Sequence, residues 1–156
     1  MALRNIRYEG DEILRKKSKP VKEINEAILT LLSDMAQTLK ELEGLGLAAP
    51  QVGVLRRVVV VDMGEGPIEL INPEIVETSG TQQLTEGCLS LPGKSGVVER
   101  AKYCKVKALD SRGEEFTIEG EDINSVLLCH EIDHLDGILY TDKAIRMVND
   151  DEEDNE

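Results

Sequence analysis

The sequence predicts an α+β domain in which antiparallel sheets wrap around a buried helix, with an N-terminal helix packed outside. One amphipathic helical pattern comes early, a run of short strand-like segments follows, and a second helical pattern comes last. Residues typical of tight turns separate the strands, which favours antiparallel pairing. We expect one domain over residues 1–148, and a disordered acidic tail over residues 149–156.

The first helix is predicted over residues 25–44. Asn25 can cap its start, and Gly44 can end it. Between them, apolar residues recur at spacings of three and four: Ile28, Leu31, Leu32, Met35, Leu39 and Leu42. This spacing predicts an amphipathic helix of about five turns.

A loop of small residues follows, from Glu43 to Gly53. Its three glycines and two alanines allow its backbone to approach another group closely. It lacks the Lys and Ser/Thr of a phosphate-binding loop, so a helix end and turn is the alternative. Gln51 is a lone amide in this loop, and the loop alone does not decide its role.

Seven strand-like segments come next, at residues 57–63, 68–71, 75–78, 83–89, 97–100, 105–109 and 115–118. The chain has one Phe, three Tyr and no Trp, so its core must be aliphatic.

The only two histidines, His130 and His134, lie four residues apart on the second helical segment. Positions i and i+4 share a helix face, so both imidazoles can bind one divalent metal. Glu131 directly follows the first histidine, where a carboxylate can take a proton from water on the metal. Asp122 or Asn124 can cap this segment. The buried helix of the predicted fold is therefore a metal-binding helix, unless the histidines share a face by chance.

Two histidines leave the metal site incomplete. The metzincin pattern requires a third histidine where this chain has Tyr140. Cys104 lies in an alternating strand, where a small buried hydrophobic residue is the better interpretation. Cys129 precedes the first histidine and points about 100° away from the metal face. Cys88, at a strand end, remains as a plausible ligand.

Composition limits the other functions. The chain has a formal charge of -13 and no stripe of basic residues, which disfavours direct contact with nucleic acid. The longest apolar runs are about four residues, so we expect neither export nor a membrane span. Three cysteines are an odd number, which favours a reducing cytoplasm over a disulfide framework.

Three motifs together resemble those of bacterial peptide deformylases, in order and spacing. They are Gly44-Leu45-Gly46-Leu47-Ala48-Ala49-Pro50-Gln51, Glu86-Gly87-Cys88-Leu89-Ser90 and His130-Glu131-Ile132-Asp133-His134. The similarity extends over nearly the whole chain, from Ile6 to about Tyr140. It implies a metal-dependent hydrolase that removes the N-formyl group from the formyl-methionine of newly made polypeptides and releases formate.

The resemblance also implies the catalytic groups. Glu131 is expected to act as the general base and then to protonate the leaving amine. The Gln51 side-chain amide and the backbone N–H of Leu89 are expected to stabilise the oxyanion. Family likeness further suggests an ion pair between Glu43 and Arg100. The implied metal ligands are Cys88, His130 and His134.

Helix geometry predicts where a methionine side chain would bind. Three aliphatic residues precede His130 on its own face and would form an apolar wall: Ile123, Val126 and Leu127. Leu45 and the backbone of Gly46 are expected to form the other side and to pair with the peptide. Ordinary core packing is the alternative for each aliphatic residue.

The resemblance implies one divalent metal ion, Fe2+ natively, with Zn2+, Ni2+ or Co2+ as substitutes. The expected partners are N-formyl-methionyl nascent peptides in the cytoplasm, with no membrane and no direct nucleic acid. The chain has no basic C-terminal helix, and its acidic tail would be repelled by RNA, so contact with the ribosome stays open.

Two other functions are compatible with the histidine helix. The first is an endopeptidase of zincin type. A structural zinc module would need a fourth protein ligand, from Cys104 or Cys129, and would leave Glu131 without a role.

Overall fold

Two antiparallel sheets surround one helix in the computed structural model, which describes residues 2–148. The architecture confirms the predicted α+β class. The tail predicted over residues 149–156 lies outside the described residues. Within residues 2–148, no helix is long and apolar enough to span a membrane.

Residues 2–148 contain eight strands: β1 Gly46–Ala48, β2 Val58–Asp62, β3 Pro67–Ser79, β4 Gln82–Glu86, β5 Ser95–Arg100, β6 Tyr103–Leu109, β7 Glu115–Glu121 and β8 Ala144–Val148. One sheet has the order β1-β2-β3-β6-β7, and the other has the order β4-β5-β8. Cys88 of the second motif lies two residues beyond β4, an edge strand of the smaller sheet, and the first motif contains β1, an edge strand of the larger sheet.

Strand β3 differs from the prediction, which divided it into two strands at Asn72-Pro73. The pairing of β3 with β6 is irregular between Ile71 and Glu74, so the turn-like dipeptide lies inside one bulged strand. Asn72 has a positive φ of 52°. Its side chain exchanges hydrogen bonds with the backbone of Val21, at 2.8 and 2.9 Å. Asn tolerates this conformation, and the tertiary contact holds it there.

Helix α1, Glu26–Glu41, has the predicted amphipathic character. The side chain of Asn25 accepts a hydrogen bond from the Ile28 N–H at 3.0 Å and caps the helix. The buried residues of α1 pack with Val58 and Val60 of β2, so the helix covers one face of the larger sheet.

Helix α2, Ile123–Leu135, carries the histidines and is buried along most of its length. Asp122 precedes it with a positive φ of 55° and makes no side-chain capping bond, so the predicted cap is not formed by this side chain. A Cβ on Gly120 of β7 would lie 2.8 Å from the backbone of Asn124. The glycine therefore lets the sheet approach the helix closely. A short helix, α3 Tyr140–Lys143, follows.

Candidate active site

Cys88, His130 and His134 bring one donor atom each to within 4.8 Å of one another. Cys88 Sγ lies 3.4 Å from Nε2 of His134. A tetrahedral ion with bonds of about 2.3 Å to sulfur and about 2.0 Å to nitrogen would separate such atoms by roughly 3.5 Å. The three side chains therefore fit a divalent metal ion, and we call them the donor group.

The three candidate ligands come from two parts of the fold. Both histidines lie on one face of α2, with ring centroids 5.0 Å apart, as the four-residue spacing predicts. Cys88 lies two residues beyond the end of β4. The other two thiols, Cys104 and Cys129, are buried in the core between the larger sheet and α2 and do not belong to the donor group.

Glu86 fixes the orientation of one imidazole. Nδ1 of His130 lies 2.9 Å from Oε1 of Glu86. Hydrogen bonds from His130 and Arg100 keep the pKa of Glu86 below its ordinary value, although burial acts in the opposite direction. The carboxylate is therefore charged and can only accept, so Nδ1 carries the hydrogen and Nε2 is left for a metal.

Arg100 holds the Glu86 carboxylate in place. Its guanidinium donates to the two oxygens of Glu86 at 2.6 and 3.0 Å, and to Asp133 at 2.9 Å. The expected pair between Glu43 and Arg100 is wrong: Glu43 is exposed, and the described ion pairs of Arg100 are with Glu86 and Asp133. The buried arginine instead neutralises Glu86, the carboxylate that contacts His130.

Burial lowers the pKa of His134 well below its ordinary value. This imidazole is therefore neutral, which is the form that binds a metal. Its Nδ1 is buried and has no hydrogen-bond partner among residues 2–148.

Glu131 is buried beside the donor group. Its Oε2 lies 4.0 Å from Nε2 of His130. Its Oε1 has no hydrogen-bond partner among the described residues, and burial raises the pKa of the side chain to about 7. A Cβ on Gly46 would lie 2.6 Å from Oε2 of Glu131, so only glycine at this position leaves room for the carboxylate. An acid with such a pKa can both take and give a proton near neutral pH.

Gln51 is held against the same cluster. Its Oε1 accepts from the Ala48 N–H at 2.9 Å, and its Nε2 donates to Ser90 Oγ at 3.1 Å. The same Nε2 lies 3.5 Å from Sγ of Cys88. The amide is therefore fixed in orientation, and its N–H groups point towards the three candidate metal ligands. Leu89, the next residue after the cysteine, lines the adjoining cavity.

A cavity of about 490 Å³ opens beside the donor group. Small-molecule sites have volumes of about 300–1,000 Å³. Leu45 and Ile123 lie at its rim, 55% and 60% exposed, whereas Val126 and Leu127 are buried in its wall. The structure thus gathers around this cavity all five residues predicted for substrate binding: Leu45, Gly46, Ile123, Val126 and Leu127.

Sequence reasoning did not identify several supporting groups. Glu86 carried a signal, since it lies two residues before Cys88 at the end of a strand and this spacing predicts a shared face. Arg100 was expected in a supporting ion pair, but with Glu43 instead of Glu86, and Tyr140 carried no such signal. The ring of Tyr140 stacks on that of His130 at a centroid distance of 6.0 Å. Leu84 and Thr85 of β4 also line the cavity.

A group of three candidate metal ligands, with a buried carboxylate beside it and an apolar cavity in front, is typical of metal-dependent hydrolases. Comparison with protein families identifies which hydrolases these are. The chain belongs to the polypeptide deformylase family, whose model matches residues 3–150.

Individual proteins similar to this chain agree with the family match. A peptide deformylase of Thermoanaerobacter pseudethanolicus is 60% identical over 154 residues, which cover 99% of this chain and 97% of that protein. A peptide deformylase of Acetivibrio thermocellus is also 60% identical, over 97% of this chain and 89% of the relative. The crystal structure of a peptide deformylase from Thermotoga maritima matches with a TM-score of 0.88 and 42% identity, over 91% of this chain and 97% of that one.

Proposed function

We propose that this site removes the N-formyl group from the N-terminal formyl-methionine of newly made polypeptides and releases formate. Membership of the polypeptide deformylase family supports this reaction. The single observation that carries the chemistry is the position of Glu131, whose buried carboxylate lies 4.0 Å from Nε2 of His130 and faces the cavity.

Cys88, His130 and His134 would hold one divalent metal ion. When bound, this ion polarises the formyl carbonyl and lowers the pKa of a water molecule. A thiolate with two imidazoles suits Fe2+, Zn2+, Ni2+ and Co2+, and we propose Fe2+ as the native ion by similarity to the family.

Glu131 moves the proton. Its carboxylate accepts a proton from the water as the water oxygen bonds to the formyl carbon. The same side chain then delivers that proton to the amine nitrogen as the C–N bond breaks. Formate and a peptide with a free amino group leave the site.

Gln51 and Leu89 would stabilise the negative charge on the formyl oxygen. Nε2 of Gln51 donates to Ser90 Oγ at 3.1 Å and to Cys88 Sγ at 3.5 Å, so its second hydrogen already points towards the three candidate ligands, where the proposed oxyanion would form. The backbone N–H of Leu89 is the second proposed donor. Because the Ala48 N–H anchors Oε1 of Gln51, the amide does not have to reorient during the reaction.

The apolar wall would bind the methionine side chain. Val126 and Leu127 lie one turn before His130 on α2, which places an aliphatic surface next to the reacting group. Leu45 and the backbone of Gly46 would hold the peptide from the β1 side. Residues beyond the methionine would extend over the exposed rim formed by Leu45 and Ile123.

The proposed partners are N-formyl-methionyl nascent peptides, and the proposed compartment is the cytoplasm, where such chains are made. Formate release from a formyl-methionyl peptide by metal-loaded protein tests the activity, with casein cleavage measured beside it. Formate release without casein cleavage is the expected result. Casein cleavage without formate release would favour the zincin-type endopeptidase instead.

A further inference from the structure

The side chain of Ser90 is buried next to the proposed oxyanion donors. Ser90 directly follows Leu89 and lies two residues after Cys88, but it stands outside both the donor group and the lining of the cavity. The residue is 0% exposed, and a buried hydroxyl needs a hydrogen-bond partner. Its partner is Gln51, whose Nε2 donates to Ser90 Oγ at 3.1 Å. The hydroxyl therefore reaches the reaction through the Gln51 amide.

The amide plane of Gln51 is fixed at both of its ends. The terminal torsion of a glutamine side chain is broad, so the side chain does not restrict rotation of the amide by itself. The Ala48 N–H holds Oε1 at 2.9 Å, but one hydrogen bond leaves the amide free to swing about that contact. The bond from Nε2 to Ser90 holds the other end. The two bonds together define one plane.

The two anchors of Gln51 have different effects. If the amide oxygen and nitrogen exchanged places, Nε2 would face the Ala48 N–H, and two donors would oppose each other. A serine hydroxyl can accept or donate, so Ser90 does not discriminate between the two ends of the amide. Ala48 therefore decides which end faces the donor group, and Ser90 decides the plane in which that end lies.

The main chains of Gln51 and Ser90 are held independently of their side chains. The Arg7 N–H donates to the Gln51 carbonyl at 2.7 Å, and the Glu9 N–H donates to the Ser90 carbonyl at 2.8 Å. One short segment, residues 7–9, thus links both backbones. Removing the hydroxyl of Ser90 leaves these two bonds in place, so its effect on the amide can be separated from a change of the fold.

We propose that Ser90 is a positioning residue for deformylation, and that its hydroxyl holds the Gln51 amide in the plane from which Nε2 reaches the formyl oxyanion. The second hydrogen of Nε2 already points towards Cys88 Sγ, at an N to S distance of 3.5 Å. A donor held in place before the reaction does not have to reorganise as negative charge develops. This inference rests on the proposed function, because it assigns Ser90 a role in the same reaction.

The alternative is that the hydroxyl of Ser90 only satisfies a buried polar group. Such a hydroxyl would contribute to stability and leave the Gln51 amide where it is. Ser125 is the matched control, because it is also 0% exposed and its Oγ makes a hydrogen bond to the Ala101 carbonyl at 2.8 Å. Ser125→Ala therefore measures the loss of a buried hydroxyl that does not contact Gln51.

Kinetics of formate release give the first test. Ser90→Ala should lower kcat by about tenfold with KM and metal content unchanged, because the interaction that it weakens forms in the transition state. Gln51→Ala removes the donor and should cost about 10²- to 10³-fold. The double variant S90A/Q51A should be no slower than Q51A, and S125A should stay within about twofold of the unmodified protein.

Nuclear magnetic resonance of the zinc-loaded, full-length protein gives a second test that does not need activity. The side-chain amide signals of Gln51 are assigned by their loss in Q51A. In the unmodified protein both hydrogens should exchange slowly with water, because each is buried and held. In S90A the signals should shift and exchange faster, whereas S125A should leave them unchanged.

Three results would overturn the inference: multiplicative losses in S90A/Q51A, unchanged Gln51 amide signals in S90A, or rapidly exchanging signals in the folded, unmodified protein. The last of these decides the question even if S90A does not fold. Absence of formate release from the unmodified protein would refute the proposed function. The amide signals would then still show whether Ser90 holds Gln51.

Discussion

Oε1 of Glu86 lies 2.9 Å from Nδ1 of His130, so the strand that leads to Cys88 also orients a candidate metal ligand on helix α2. The same carboxylate accepts two hydrogen bonds from Arg100. The smaller sheet thus supplies both a thiol and the support for an imidazole. We therefore expect metal binding to depend on the buried ion pair of Glu86 and Arg100, which includes none of the three candidate ligands.

Replacing Glu86 with Gln should weaken metal binding by about 10- to 100-fold. The neutral amide is a weaker acceptor for His130 and no longer compensates the charge of Arg100. Competition with a chelator measures the affinity. Glu99→Gln, at an exposed position on β5, should bind metal normally. An unchanged metal Kd in folded E86Q would show that Glu86 does not orient the histidine.

Glu131→Ala should keep the metal and lose turnover. The three ligands are untouched, while the proton acceptor is removed, which costs about 10²- to 10⁴-fold in kcat. Metal content and formate release are measured on the same preparation. A variant with full metal content and a near-normal rate would mean that another group moves the proton.

Cys88→Ser should release the metal or change which ion is bound, because a serine hydroxyl is harder than a thiolate and ionises less readily. Cys104→Ser and Cys129→Ser are the controls, since both thiols are buried outside the donor group. Metal content after dialysis distinguishes the three variants. Loss of metal from either control, with C88S unaffected, would assign the ligand to a different thiol.

Gly46→Ala should lower kcat by about 100-fold while metal content stays normal. Its Cβ would lie 2.6 Å from Oε2 of Glu131, so the carboxylate must move. A displacement on the order of 1 Å at a reacting group costs about that factor. Steady-state kinetics with metal analysis measure the effect. Full activity in G46A would show that Glu131 tolerates repositioning.

Val126→Asp should lower kcat/KM steeply on formyl-methionyl peptides and much less on a small formylated amine. The charge would face the methionine side chain, at a cost on the order of several kcal/mol, while Glu131 and Gln51 are unchanged. Circular dichroism confirms that the variant is folded. Equal losses on both substrates would place Val126 in the general core rather than in the binding site.

Local sequence patterns were sufficient to predict the two long helices, α1 and α2. The cap at Asn25, the apolar spacing of α1 and the four-residue spacing of His130 and His134 all act within a few turns of chain. Local patterns did not predict two short edge strands, β1 and β8. β1 and β8 lack an alternating pattern of their own, and their pairing partners define them.

The sequence by itself determined the family, the α+β class and the residues of the donor group, because each depends on residue type and spacing along the chain. Tertiary structure decided what surrounds them. Arg100 lies opposite Gln82 in the β4–β5 pairing, so it shares a face with Glu86, and both side chains contact α2. Which charges neutralise one another in a core depends on which backbones lie side by side, and spacing along the chain does not contain that information.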